Sequence, residues 1–249
     1  MKIEELENTT NKQNGNLIQF IINLQKFSAA GQIFSDFTHE LNNIVGAMLG
    51  YAQIAKMTNE ENDKRKCIEI VISCSEKVKM INNNILAYIR RNPQDICEVD
   101  INFIIKQSIS LTTKIFDRKG IKIIFEQGSI PIVNLKLGLF QQAFLNLLLD
   151  IKKKSLSGNE LNVATGFNKE QKLIEIGLRN DSCDIIDKKC YGKIIHFKDI
   201  FGDIDILEDF TDGFEAEIAY WILEKEIGGG LIVNKNKENG SGYIIKIPA

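Results

Sequence analysis

From Leu17 to Ala55, seam positions recur in alternating steps of three and four: Leu17, Phe20, Leu24, Phe27, Gly31, Phe34, Thr38, Leu41, Val45, Met48, Ala52 and Ala55. That spacing is the heptad-like stripe of one long helix, imperfect at Gly31 and Thr38. The polar run "TNEENDK" interrupts it. A second stripe follows through Cys67, Val71, Cys74, Val78, Ile81, Ile85 and Tyr88. It stops at "RRNP", because Pro93 disfavours helix at the residue before it. Two long helices joined by a short polar turn make an antiparallel hairpin. A lone hairpin buries only one side of each helix, whereas two hairpins close a four-helix bundle, so the pattern predicts a homodimer.

Beyond Pro93 the texture changes. "VDINFIIKQSISLTTKIF" predicts a helix capped by Asp100. "IKIIFEQG" predicts a strand, and "LGLFQQAFLNLLLDIKKK" a helix with a strongly apolar face. "LIEIGLRN" alternates, with Ile174, Ile176 and Leu178 on one side, and predicts a strand. "FEAEIAYWILEKEIGGG" predicts a helix stopped by glycines. "LIVNKNKENGSGYIIKIP" predicts a hairpin with turn residues at its tip. Alternating helices and strands that close on a hairpin predict an α/β sandwich, with helices on one face of a mixed sheet. The fold class is therefore a helical hairpin followed by an α/β sandwich. The expected divisions are a polar tail over 1–16, the helical hairpin over 17–95 and the sandwich over 96–249.

With 249 residues there is room for two modest cores. A net charge of −2 makes no electrostatic case for nucleic acid or anionic membrane. No apolar run reaches the about 18–20 residues that a membrane span needs. The opening "MKIEELENTTNKQNGN" is polar and acidic, unlike a signal or transit peptide. Cys67, Cys74, Cys97, Cys183 and Cys190 form no C-x-x-C pair and no metal-ligand spacing, which suits reduced thiols. Together these features predict a soluble, cytoplasmic protein.

The chemistry concentrates in "THELNNIVGAMLGYAQIA", Thr38 to Ala55. His39 lies just off the first stripe and should face solvent. Neutral imidazole is a good nucleophile near neutral pH. Glu40 follows directly, placed to orient the ring and accept its proton. Asn43, four residues on, shares a helix face with His39. Gly46 and Gly50 continue that face with bare backbone. Asn42 reads as a solvent-facing neighbour, His196 as incidental and Trp221 as core. The run Lys152-Lys153-Lys154 reads as a solvated helix end.

These residues resemble the H-box of two-component histidine kinases, often close to H-E-L-N-N-x-L-x-x-x-x-G-Y-A-x-L-A, with Ile44 where a proline is frequent. The resemblance extends from about residue 30 to the C-terminus and includes "KMINNNILAYIRR" as the second helix. It implies that His39 is the phosphoacceptor, that Glu40 is its polar partner and that Asn43 positions water. It also implies that Gly46 and Gly50 leave a groove for a response-regulator receiver domain. "LFQQAFLNLLLD" and "GGGLIVNKNKENGSGYIIKIP" resemble the family's ATPase domain.

The nucleotide motifs of that domain are degenerate. In the N-box, N-L-x-x-N-A, Asn146 is kept but Asp150 stands at the magnesium-binding Asn. A carboxylate can also hold magnesium. At the G1 box, D-x-G-x-G, the chain reads Asn180-Asp181-Ser182-Cys183-Asp184. At the G2 box, G-x-G-L-G-L-A, it reads Gly213-Phe214-Glu215-Ala216-Glu217-Ile218-Ala219. The family's glycines admit triphosphate to backbone N–H groups. Glu215 and Glu217 add bulk and charge there, each costing on the order of a kcal/mol against a bound anion. The lid run "DIIDKKCYGKIIHFKDIFGDIDILEDF" lacks the family's F-x-x-F and glycines. The remnant site is thus Asn146, Asp150 and Asn180, with no cofactor or metal expected unless Asp150 serves Mg-ATP.

Three readings follow. The first is a phosphorelay phosphotransferase, similar to kinase-like histidine phosphotransferases, exchanging phosphoryl between His39 and receiver Asp residues without ATP. The second is a divergent histidine kinase that autophosphorylates His39 from Mg-ATP. The third is a non-catalytic pseudokinase that binds receivers or a partner kinase.

Overall fold

The structure, a computed structural model, describes residues 2–180, 215–236 and 240–249. Helix α1 (Lys2–Met57) and helix α2 (Glu61–Arg90) form the hairpin. The helix already runs at Lys2, so the polar residues 2–16, read as a tail, form its first turns. The connection is shorter than the polar run suggested. Glu61 and Asp63 lie in the first turn of α2, where carboxylates suit the positive end of a helix. Thr58 Oγ1 accepts from the Glu60 amide and tightens the bend.

The second stripe packs as expected: Cys67, Ile85 and Tyr88 are buried, and Val71, Cys74, Val78 and Ile81 are half-buried. Most of the first stripe does not pack within the chain. Phe20, Leu24, Phe27, Phe34, Leu41 and Val45 are all exposed. A neighbouring face of α1 is buried instead, through Ile22, Ala29, Ala30, Ile33 and Phe37. Helix α1 therefore carries two apolar faces, and one chain covers only one of them.

The following elements are strand β1 (Ile96–Val99), helix α3 (Ile101–Arg118), strands β2 (Lys122–Glu126) and β3 (Val133–Lys136), and helix α4 (Leu137–Lys154). Strands β4 (Glu160–Asn168) and β5 (Leu173–Asn180) come next. Helix α5 (Glu215–Trp221) continues as a π-helical segment (Ile222–Glu226), and strands β6 (Gly230–Asn236) and β7 (Gly240–Pro248) close the chain. Asp100 caps α3 as its sequence position predicts, its carboxylate accepting from the Phe103 amide at 3.2 Å.

The main sheet runs β2-β4-β5-β7-β6, with β2 and β4 parallel and the other pairs antiparallel. Strands β1 and β3 form a separate antiparallel pair. Alternation decides the inner face. Ile174, Ile176 and Leu178 of β5 are fully buried beside Leu161 and Val163 of β4 and Tyr243, Ile245 and Ile247 of β7. Their helix-side partner is α4, buried at every position from Gly138 to Ile151. A helix that is apolar most of the way round belongs in such an interior. This is the helical-hairpin and α/β-sandwich class that the sequence pattern predicts.

The hairpin's exit is locked to the sandwich layer by polar contacts. Lys26 Nζ donates to the carbonyls of Ile89 and Arg91, at 3.1 and 3.0 Å, capping the C-terminal end of α2. Gln142 Nε2 on α4 donates to the Ile22 carbonyl at 2.6 Å. A side chain at Gly138 would bring Cβ within 2.9 Å of Pro93 Cα, so glycine lets the linker cross the start of α4.

Candidate phosphoacceptor site and remnant nucleotide site

The candidate turn, Thr38 to Asn43, sits inside α1, away from either helix end. His39 is exposed, off the buried face that Ile22, Ala29, Ala30, Ile33 and Phe37 form. Thr38 Oγ1 donates to the Phe34 carbonyl at 3.0 Å, which keeps its hydroxyl on the helix and off the imidazole's surroundings. Asn43 is exposed one turn on, and Asn42 is exposed beside it. A Cβ at Gly46 or Gly50 would meet nothing within 4 Å, so the surface beyond His39 is open.

Glu40 differs from its neighbours because its side chain is only 23% exposed. Its Oε1 lies 3.8 Å from Lys114 Nζ on α3, so the sandwich layer reaches the phosphoacceptor turn. A cleft of about 340 Å³ opens at this junction. Glu40 and Asn43 of α1, Lys77 of α2, and Lys114, Asp117 and Arg118 of α3 contribute to its walls. Sequence reasoning missed Lys77 and Lys114. No local spacing links them to His39, because only the packing of α3 against the hairpin brings them there.

The second candidate site gathers around α4. Asn146 and Asp150 lie one turn apart and are 0% and 1% exposed. The Asp150 carboxylate accepts from the Tyr243 hydroxyl on β7 and from Lys154 Nζ at 2.7 Å. Asn180, at the end of β5, is buried, and its Nδ2 donates to Ser155 Oγ at 2.8 Å. Ser155 Oγ in turn donates to the Ile151 carbonyl at 2.7 Å. Glu215 is 3% exposed and meets Lys153 Nζ at 2.5 Å. The structure thus brings Asn146, Asp150, Asn180 and Glu215 into one buried polar layer. Asn146 alone of these has neither amide atom hydrogen-bonded among the described residues.

One expectation changes here and one is extended. Lys153 and Lys154 are exposed in the last turn of α4, as a solvated helix end requires, and they also pair with Glu215 and Asp150. The signal was present in the i,i+4 spacing of Asp150 and Lys154. Glu215 therefore does not present a bare charge to the site, because Lys153 balances it. Trp221 is half-buried against the core, in keeping with its apolar helix face. Asp181, Ser182, Cys183, Asp184, Cys190, His196, Gly213, Phe214 and the lid run lie outside the described residues.

Among the described residues, no group of three or more His, Cys, Asp or Glu side chains forms a metal site. Cys67, Cys74 and Cys97 are free thiols. No described helix is long and apolar enough to cross a membrane.

Residues 29–94 match the family model of the His Kinase A (phospho-acceptor) domain. In structure the chain is similar to a nucleotide-free catalytic domain of histidine kinase ThkA, at 19% identity and TM-score 0.47, over 62% of this chain and 95% of that one. It is similar to histidine kinase ThkA in complex with response regulator protein TrrA, at 18% identity and TM-score 0.44, over 94% and 66% of the two chains. It is also similar to full-length ShkA in complex with AMPPNP, at 16% identity and TM-score 0.48, over 88% and 45%. Residues 29–94, which hold His39, Glu40 and Asn43, thus form a segment similar to the His Kinase A (phospho-acceptor) domain.

Proposed function

We propose that the protein is a histidine phosphotransferase of a phosphorelay, exchanging phosphoryl groups between His39 and receiver-domain Asp residues without using ATP. The observation that carries this reading is a contrast between two sites. His39 stands exposed on a phospho-acceptor helix, while the Asp150 carboxylate is 1% exposed and bound by Tyr243 and Lys154. A magnesium ion at Asp150 would have to displace an ammonium and a buried hydroxyl. An adenine held by Asn180 would have to displace Ser155. The described residues therefore do not fit Mg-ATP.

The chemistry needs only the phosphoacceptor turn and a partner. An imidazole nitrogen attacks the phosphorus of an aspartyl phosphate. The P–O bond to the carboxylate breaks with its electron pair, and an N–P bond forms. The proton on the other ring nitrogen is released to Glu40 or to water. The reverse sequence delivers phosphoryl to a second receiver. Asn43, on the face of His39, is positioned to orient water or the incoming phosphoryl group.

Partners follow from the surfaces. The exposed stripe of Phe20, Leu24, Phe27, Phe34, Leu41 and Val45 suits a second copy of the hairpin, which completes a four-helix bundle. The open surface past Gly46 and Gly50 suits a receiver domain, as the response-regulator complex of ThkA illustrates for that protein.

The test is transfer of label from a phosphorylated receiver. Label should reach the wild type and not His39→Gln. Failure to accept label from any receiver of the same cell sinks the reading. Asn146 favours a second reading, the divergent kinase, because its buried amide has unused donors and acceptors among the described residues. Micromolar ATP binding in a calorimetric titration would establish that alternative.

A further inference from the structure

We propose that Lys114 is a positioning residue for phosphoryl transfer at His39, acting through Glu40. The inference rests on the reading of His39 as the phosphoacceptor. Lys114 belongs to α3, in the layer whose nucleotide motifs are degenerate, yet its Nζ sits 3.8 Å from Glu40 Oε1. It also lies 3.8 Å from Asp117 Oδ2, one turn along α3. Lys114 is thus shared between two carboxylates, one on each side of the cleft.

Glu40 is the informative partner. It is adjacent to His39 in sequence, so its rotamer decides whether a carboxylate is held near the imidazole or turned from it. The charged groups around the cleft are Glu40 on α1, Lys77 on α2, and Lys114, Asp117 and Arg118 on α3. Among the described residues that line the cleft, three cations face two carboxylates. Lys114 fixes the direction of the Glu40 carboxylate, and Glu40 in turn receives the imidazole proton. The sandwich layer then contributes to transfer by steering a carboxylate rather than by supplying a nucleotide.

The experiment uses the full chain and phosphoramidate, a donor that requires no receiver. Its P–N bond breaks, ammonia leaves, and an N–P bond forms at His39. The rate of phosphohistidine formation is followed by phosphorus NMR in wild type, Lys114→Ala, Lys114→Arg, Glu40→Gln and the Lys114→Ala/Glu40→Gln double variant. Lys114→Ala should slow the reaction by about 1.5- to 5-fold, the range for a partly exposed ion pair. Lys114→Arg should restore it. In the Glu40→Gln background, Lys114→Ala should have no further effect, which a merely structural role would not produce. A Lys114→Ala rate equal to wild type, or an undiminished effect in the Glu40→Gln background, overturns the inference and leaves the phosphoacceptor reading standing. A wild type that forms no phosphohistidine at position 39 overturns both. Carbodiimide coupling reads the contact without phosphate. A Glu40–Lys114 cross-linked peptide is expected, and its absence overturns the inference.

Discussion

The Tyr243 hydroxyl on the last strand donates to the Asp150 carboxylate on α4, a residue 93 positions earlier in the chain. Lys154 Nζ approaches the same carboxylate at 2.7 Å. Asp150→Ala removes the acceptor of a buried hydroxyl and the counter-charge of Lys154. It should lower unfolding stability by about 1–3 kcal/mol in urea titrations. Asp150→Asn keeps an acceptor for Tyr243 and should lose less. Although that second substitution supplies the second Asn of the N-box pattern, the variant should still show no ATP binding by calorimetry, because Ser155 and Lys153 still engage Asn180 and Glu215.

The two apolar faces of α1 should respond differently to substitution. Phe27 is 66% exposed in one chain, whereas Ile33 is 3% exposed. Phe27→Asp should dissociate the dimer in light-scattering measurements and leave the monomer's helical signal largely intact. Ile33→Ala should lower stability by about 2–5 kcal/mol through a cavity and lost transfer energy. A Phe27→Asp protein that remains dimeric would remove the exposed stripe from the dimer interface.

Alkaline pH should expose the joint between the hairpin ends. Burial pushes the Tyr88 hydroxyl well above its ordinary value of 10.0. The folded state therefore keeps that proton when the unfolded chain releases it. Stability is fully present below about pH 10 and falls as pH rises toward the folded value. Lys26, whose Nζ lies 5.6 Å from the Tyr88 ring centroid, works in the opposite direction. Burial first, then the Arg91 charge, lower its value below 10.5, so its unfavourable contribution fades as pH rises toward 10.5. Tyr88→Phe removes a buried hydroxyl that has no hydrogen-bond partner among the described residues. It should flatten the stability loss above pH 10 in thermal melts, and an unchanged alkaline limb would refute the assignment to Tyr88.

The elements most legible in the sequence were those with a strong internal period. Helix α4 and strand β5 begin and end where "LGLFQQAFLNLLLDIKKK" and "LIEIGLRN" do. Strand β4, "ELNVATGFN", was missed although Leu161 and Val163 alternate, because Gly166 and two asparagines weaken its strand signal. The short β1 and β3 were missed because each has four residues and depends on the other for its hydrogen bonds. The candidate phosphoacceptor turn is recognisable in the sequence because His39, Glu40 and Asn43 fall within five consecutive positions of one helix.

The sequence alone determined the hairpin and the alternation that sets the sheet's inner face. These are consequences of local period, since residues a few positions apart share a face whatever else surrounds them. Only the tertiary structure decided which apolar stripe of α1 the chain buries, where Lys153 and Lys154 direct their charge and which cation meets Glu40. Each of those outcomes depends on elements distant in the chain. Tyr243 reaches Asp150 across the packing of β7 on α4, and Lys114 reaches Glu40 across the packing of α3 on the hairpin. A period along one element carries no information about the partner across such an interface.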